Sequence, residues 1–472
     1  MLRFVQMTAL QWNKDKINML DGLKKILSLL KNNADLADIF WQETISTTIV
    51  SENKKLEKLI SGRDMGVGLR ALHQGKTTYG FTNEIDYSNL CQLAASLSEK
   101  AKISDENFVL QWAKPLKSMA KLPDKDSDLV DKIKLIQRVE KIAWGKSPAI
   151  RQVKVVYKKT VSNISIISSL GHFSQEEQTH LLFYVQVVAE KDGILQTGYE
   201  PIGTTNPQEL FKQKTPEEIA ECAAERALKM LEAAPAPTGS MPVVLSSEAG
   251  GTMIHEAIGH GLEADLALEG LSVYANKIGQ QVASPLITVI DDPTLAGNYG
   301  SYHYDDEGIP AQKTVLIENG VLKTYLYNLE YALKQGIKTN GHGRRQSYRN
   351  KPIPRMSNTF IAPGETPPLE IIKAVEKGLF VKKMGGGEVN TINGNFVFEA
   401  NEAYLLEKGS IGEPVRGATL VGNGPEVLKS ITMVGNDLNF GIGTCGKDGQ
   451  LVPVSDGQPT ILIPEIIVGG TV

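Results

Sequence analysis

Cysteine is scarce in this chain. Three thiols, Cys91, Cys222 and Cys445, occur in 472 residues. An odd, sparse count builds no disulfide framework and fits a reducing compartment. A basic excess is also missing: 50 Lys and Arg stand against 54 Asp and Glu, a formal charge of -4. That balance argues against nucleic acid or an anionic membrane as a direct partner. No window approaches about 18 uninterrupted apolar residues, so no membrane-spanning helix is expected. The opening MLRFVQMTALQWNKDK lacks the apolar core and small-residue cleavage site of a signal peptide. These absences lead to the expectation of a soluble cytoplasmic protein. Fixed-period repeats and low-complexity tracts are lacking as well.

What is present is an ordinary globular mixture, 41% hydrophobic and 22% charged, which excludes wholesale disorder. The length exceeds one ordinary core and suggests two or three domains. The clearest joint is Ala233–Pro242, where Pro235, Pro237, Gly239 and Pro242 stop the preceding helix. The expected division is an N-terminal α+β domain, 1–235, and a strand-rich C-terminal domain, 240–472. In the first, Ile17, Leu20, Leu23, Ile26, Leu27 and Leu30 predict an amphipathic helix with Asp15 as a cap. Further helices are predicted near 86–101 and 127–144. A hairpin loop is predicted at His73–Lys76, and antiparallel strands at 150–169 and 180–190. Thr215-Pro216-Glu217-Glu218 opens a helix whose Ile219, Cys222, Ala223, Ala227, Met230 and Leu231 share a face, with Cys222 read as a small buried hydrophobe. In the second domain, Asn319-Gly320 and Asn393-Gly394 mark turns between alternating runs, and short strands recur to the end, including 461–463 and 466–468. Helices and strands do not alternate regularly, so the fold class is α+β rather than a doubly wound sheet.

One segment carries a sharp chemical signal: SSEAGGTMIHEAIGHGLEAD, residues 246–265, with His255, Glu256 and His260. Ser247 is read as the cap and Glu248 as a first-turn acid. Histidines at i and i+5 point roughly 140° apart on a regular helix of 3.6 residues per turn. Both can face one metal only if the turn widens into a π-bulge near Gly259, whose lack of a Cβ lowers the steric cost. Neutral imidazoles are good zinc ligands, and an adjacent carboxylate can activate a metal-bound water. The alternative is that the two imidazoles only satisfy hydrogen bonds in the core. A third ligand must come from elsewhere: Glu263 and Asp265 are near, and His303, His342 and Cys445 are distant. Cys445 lies among four glycines in GIGTCGKDGQ, residues 441–450, read as a loop whose amides can approach a thiolate that Lys447 favours. Gly385-Gly386-Gly387 lacks the frame of a phosphate loop.

HEAIGHGLEAD (255–265), RMSNTF (355–360), KMGGGEVNTINGNFVFEANEAYL (383–405), GATLVGNG (417–424), MVGND (433–437) and GTCGKDGQ (443–450) follow in order. Together they resemble the TldD/PmbA family, and more narrowly its metal-bearing TldD branch. Ala264 stands where the resemblance would place Gly. The resemblance implies a zinc-dependent peptidase acting on unfolded or short, extended peptides. It implies His255, His260 and Cys445 as zinc ligands on and beyond one metal-binding helix. Glu256 would be the catalytic base and acid, and zinc-bound water the nucleophile. It also implies a homodimer, or a heterodimer with a metal-free paralogue. An oxyanion donor is sought in Tyr302–Tyr304 or His342–Arg345. Two other functions compete: a non-catalytic partner subunit, and a regulator of a nucleic-acid enzyme, which an older label of such proteins, modulator of gyrase, suggests.

Overall fold

The structure, a computed structural model, describes residues 19–32, 34–103, 108–112 and 126–470. Asp15 and Ile17 of the first predicted helix lie outside these. The rest of that helix is α1, Met19–Lys31.

Seven strands form the first sheet: β1 Leu36–Glu52, β2 Lys55–His73, β3 Lys76–Thr82, β4 Phe108–Trp112, β5 Ile150–Ser168, β6 Phe173–Lys191 and β7 Ile194–Thr204. Their order is β4-β3-β2-β1-β5-β6-β7, antiparallel except where β4 joins β3. Tight turns set the registers. Asn53-Lys54, Gln74-Gly75 and Asp192-Gly193 all have positive φ at both positions, the backbone that suits a two-residue hairpin in a twisted sheet. The turn predicted at His73–Lys76 is the second of these.

Helices cover one face of this sheet. With α1, α2 (Tyr87–Ile103) packs Leu90, Leu93 and Leu97 against Ile39, Trp41, Val67 and Leu69. The pair α3 (Asp126–Gly145) and α4 (Pro216–Glu232) packs Ile136, Val139, Ile219 and Ala223 against Val153, Val155, Phe183 and Val185. Helix α4 begins with a complete capping box, Thr215 and Glu218 satisfying each other's backbone N–H groups. Cys222 is only half-buried, because α4 turns Ala220 and Ala224 inward beside Ala223 instead. The opposite face of the sheet alternates in Thr44, Ser46, Thr160, Ser162, Gln178 and His180, and faces the rest of the chain.

Besides four two-residue strands at Ala234–Pro235, Gly343–Arg344, Ile353–Pro354 and Met433–Val434, the strands that follow are β8 Gly239–Leu245, β9 Val289–Asp291, β10 Thr314–Glu318, β11 Val321–Leu322, β12 Asn358–Ile361, β13 Lys377–Val389, β14 Asn395–Glu407, β15 Ser410–Arg416, β16 Thr419–Asn423, β17 Asn439–Lys447, β18 Gln450–Gln458 and β19 Ile461–Gly469. One sheet runs β11-β10-β9-β12-β18-β17. The other runs β13-β8-β19-β16-β14-β15, and a further pairing of β13 with β14 closes five of its strands into a circuit. Residues 461–463 and 466–468, read as separate strands, belong to one strand, β19, whose register shifts between Ile463 and Ile466. The two sheets share a core in which Val243, Leu245, Phe396, Phe398 and Ile463 pack on Met253, Ile254 and Ile258. Mixed helix and strand, with a strand-rich second part, is the α+β class expected. No helix among the described residues is long and apolar enough to cross a membrane.

Candidate metal centre

The chemical segment is not one helix from Glu248. A 3-10 turn, Ser247–Ala249, is capped by Ser246 rather than Ser247. It ends at Gly250 and Gly251, whose φ values are 91° and 64°. Gly251 has a second reason to be glycine, since a Cβ there would strike the backbone of Asp456 and Gly457. After this break come a single α turn at Thr252–Ile254, a π turn at His255–Gly259 and a 3-10 turn at His260–Leu262. The N–H of His260 donates to the carbonyl of His255, five residues back. That wide turn lays one imidazole beside the other, with ring centroids 5.0 Å apart at 88°. The widened turn predicted from the spacing is there. The reason for Gly259 differs from the one expected: its φ of -51° is ordinary helix, and a Cβ would overlap Met356 Sδ.

Cys445 comes from β17, which pairs with β18 so that Cys445 faces Val452. The stretch read as a glycine-rich loop is therefore a β-hairpin, turned at Asp448-Gly449 with φ of 50° and 69°. Arg355, fully buried, holds the hairpin by donating to the carbonyls of Cys445 (2.7 Å) and Gln450 (3.3 Å). The outcome is a cluster in which one ligand atom each from His255, His260 and Cys445 lies within 4.8 Å of the others, all but sealed from solvent. Cys445 Sγ is 3.4 Å from His260 Nε2.

Carboxylates fix both rings from behind. His255 Nδ1 donates to Asp456 Oδ1 at 2.7 Å and His260 Nδ1 to Glu263 Oε2 at 2.9 Å. Each ring thereby turns Nε2 toward the thiol, the orientation that a carboxylate partner imposes on a ligating histidine. Asp456 was not singled out in the sequence, and no local pattern marks it, 201 residues from His255. Glu263 and Asp265, considered as ligands, stand behind the cluster. Lys447 Nζ bridges them at 3.1 and 2.7 Å, so its charge is spent on carboxylates and not on Cys445.

The electrostatics follow. Burial lowers the basicity of His255, but Asp456 and then Cys445 outweigh it and hold its pKa well above the ordinary value. His260 is pushed up to about 10 by Glu263 and Cys445 against the same burial. Burial would raise the Cys445 thiol, yet the hydrogen bonds and charge of His255, then His260, bring it down to about 5. The cluster is a thiolate flanked by two protonated rings, each of which must give up its Nε2 proton to ligate a metal. Glu256 is half-buried at its edge, with no hydrogen-bonding partner among the described residues. Burial raises its pKa and the two imidazoles oppose the rise.

The other histidines considered are elsewhere. His342 is buried on Asp291 at 3.0 Å, and His303 is exposed beside Glu176. Of the suggested oxyanion donors, Tyr302 hydroxyl is engaged by the Gly341 carbonyl and Arg344 by the carbonyls of Met356 and Pro453. Among the described residues, no hydrogen bond or ion pair links any of them to His255, His260 or Cys445.

Comparison with known proteins adds a family to this geometry. Residues 37–101 match PmbA/TldA metallopeptidase domain 1, 122–231 the central domain and 238–470 the C-terminal domain of that family. A Haemophilus influenzae protein named Metalloprotease TldD homolog is 36% identical over 93% of this chain and 94% of its own. A Saccharolobus solfataricus protein named Zinc metalloprotease TldD homolog is 27% identical over 93% of this chain and 97% of its own. Among solved structures, one described as a putative modulator of a DNA gyrase from Thermotoga maritima has a TM-score of 0.77 at 24% identity, covering 96% of this chain and all of that one. TldE from Thermococcus kodakarensis has 0.74 at 18%, covering 95% and 100%. At those identities the two structures show the fold alone. The sequence relatives and the three matched domains together show that this chain belongs to the TldD/PmbA metallopeptidase family.

Proposed function

We propose that this chain is a zinc-dependent peptidase that hydrolyses unfolded or extended peptides. The observation that carries the reading is the convergence of His255, His260 and Cys445 within 4.8 Å. The donor set fits zinc. Two imidazole nitrogens, freed by carboxylates on the opposite ring atoms, and one thiolate form a borderline-soft trio. Three protein donors leave a fourth position open, as in catalytic rather than structural sites. When bound, zinc supplies a Lewis acid that acidifies water and polarises a scissile carbonyl. Asp456 and Glu263 keep the two rings aimed at the ion. Glu256, next in sequence to His255, accepts the proton of the attacking water at its carboxylate and returns it to the departing amine nitrogen. A carboxylate whose pKa burial raises is a stronger base for that transfer than one in water.

Extended substrates fit the sheet. Strand β17, which carries Cys445, is the terminal strand of its sheet. A peptide that adds to such an edge is held by backbone hydrogen bonds with little side-chain selection. Assembly as a dimer, with a second copy or with a metal-free paralogue, belongs to the same proposal and rests on the family resemblance alone. The test compares one compact domain with its unfolded variant as substrates. Cleavage of the unfolded form only is expected, and equal rates for both, with the compact form still folded, would contradict the reading.

A further inference from the structure

On the far side of the β17–β18 hairpin from the metal centre lies a cavity of about 360 Å³. It lies between that hairpin, through Thr444 and Pro453, and the polar face of the seven-stranded sheet, and is partly open to solvent. Successive strand residues point to opposite faces, so Thr444 turns to this cavity while Cys445 turns to the metal cluster.

The cavity wall carries two cations without an ion pair among the described residues and one imidazole nitrogen without a hydrogen bond. Arg344 is buried, and its terminal nitrogens donate only to the backbone carbonyls of Met356 and Pro453. Among the described residues no carboxylate lies within ion-pair distance of it. Lys158, on β5, has no ion pair among them either. His180, on β6, has its Nε2 buried without a hydrogen-bonding partner. These three groups are mutually close: after burial, the charges of Arg344 and Lys158 lower the His180 pKa to about 4, which leaves the ring neutral and able to present an Nε2–H donor.

The acids in the wall are otherwise occupied. Asp305 accepts from the N–H groups of Glu307, Ile309 and Gly343, and Asp306 from that of Arg345. Asp306 and Asp291 act on Arg344 from a distance, and Glu176, which acts on Asp306, is held by the N–H groups of His303 and Tyr304. A buried guanidinium without a counter-ion is costly, and an anion with several acceptor atoms removes that cost.

We propose that the cavity binds a small oxyanion, gripped by Arg344, Lys158 and His180. The shared chemistry is a carboxylate or phosphate group, supplied by a free anion or by the chain end of a peptide. The site lies apart from Glu256 and the thiolate cluster, so it stands or falls separately from the peptidase reading.

Calorimetric titration of the full chain tests it with inorganic phosphate and with an acetylated dipeptide bearing a free C-terminal carboxylate or its amide. Saturable binding of phosphate identifies a free anion, and binding of the acid but not the amide identifies a chain end. Either is expected to weaken at least roughly tenfold in Lys158→Gln and in His180→Gln, the scale of a lost hydrogen bond to a charged group. Lys158 is exposed, so its variant keeps the fold. Absence of saturable binding, or binding of equal strength in both variants and the parent as a purely metal-bound anion would show, overturns the proposal.

Discussion

Cys445 is the residue on which the metal site turns, because two imidazoles alone make a weak site. Cys445→Ser replaces a thiolate by a neutral hydroxyl and is expected to lower zinc affinity by more than roughly a hundredfold, above the usual range for groups that only support ligands. Competition with a chelator measures it, and unchanged affinity in a folded variant would return the search to other ligands. Glu256→Gln keeps size but removes the base. It is expected to retain metal and to cleave about a hundredfold more slowly or worse. Near-normal turnover would remove Glu256 from the mechanism. Asp456→Asn is expected to weaken zinc by about 10–100-fold, because the Nδ1 contact at 2.7 Å would no longer hold the His255 ring against a carboxylate; an unaltered affinity would make Asp456 a spectator. His255, Glu256 and His260 are legible in the sequence because their spacing is local. Cys445 was singled out by its setting and assigned only by resemblance, and Asp456 is invisible because only the folded hairpin brings it near. Lys447 was misread, since nothing in the sequence shows that Glu263 and Asp265 claim its charge.

Among elements, the π turn is the device that converts an i,i+5 spacing into a shared face. The sequence predicts it because a regular helix would splay the two rings. What it conceals is the packing that holds the turn, since Met356 fills the space where a Cβ at position 259 would sit. Gly259→Ala is therefore expected to cost about 1–3 kcal/mol by overpacking. In combination with Met356→Ala, the two changes should cost less than the sum of the singles, because they share one space. Denaturant unfolding measures both, and strict additivity would show that Gly259 is present for another reason. The hairpin of β17 and β18 was legible only in part. Its glycines suggest a loop, and the strand pairing that places Cys445 opposite Val452 depends on β12 running alongside. The turns at Gln74-Gly75 and Asn319-Gly320, by contrast, were legible because Gly75, Asn319 and Gly320 are residue types that accept positive φ.

At the scale of the whole molecule, the polar sheet face and the part that carries the metal cluster are joined by buried charge. Arg70, on β2, pairs with Asp38 and with Glu307, at 2.5 and 2.6 Å, and Thr77 donates to Glu330 at 2.8 Å. The division near residue 240 is our proposal for where the chain's two parts meet, and these contacts are what binds them. Arg70→Ala would leave Glu307 buried without its cation and Asp38 with only Arg345 at 3.7 Å, and is expected to destabilise by about 3–5 kcal/mol. A loss under about 1 kcal/mol, the scale of an exposed pair, would contradict that role. Such long-range pairings have no periodic signal, which is why the α+β class was legible and the contact between its halves was not. The central claim concerns the metal ligands, and X-ray absorption at the zinc edge reads them directly. The account predicts one sulfur at about 2.3 Å and two nitrogens near about 2.0 Å in the parent protein, with the sulfur lost in Cys445→Ser. A zinc shell of light atoms only, identical in the parent and the variant, would contradict it.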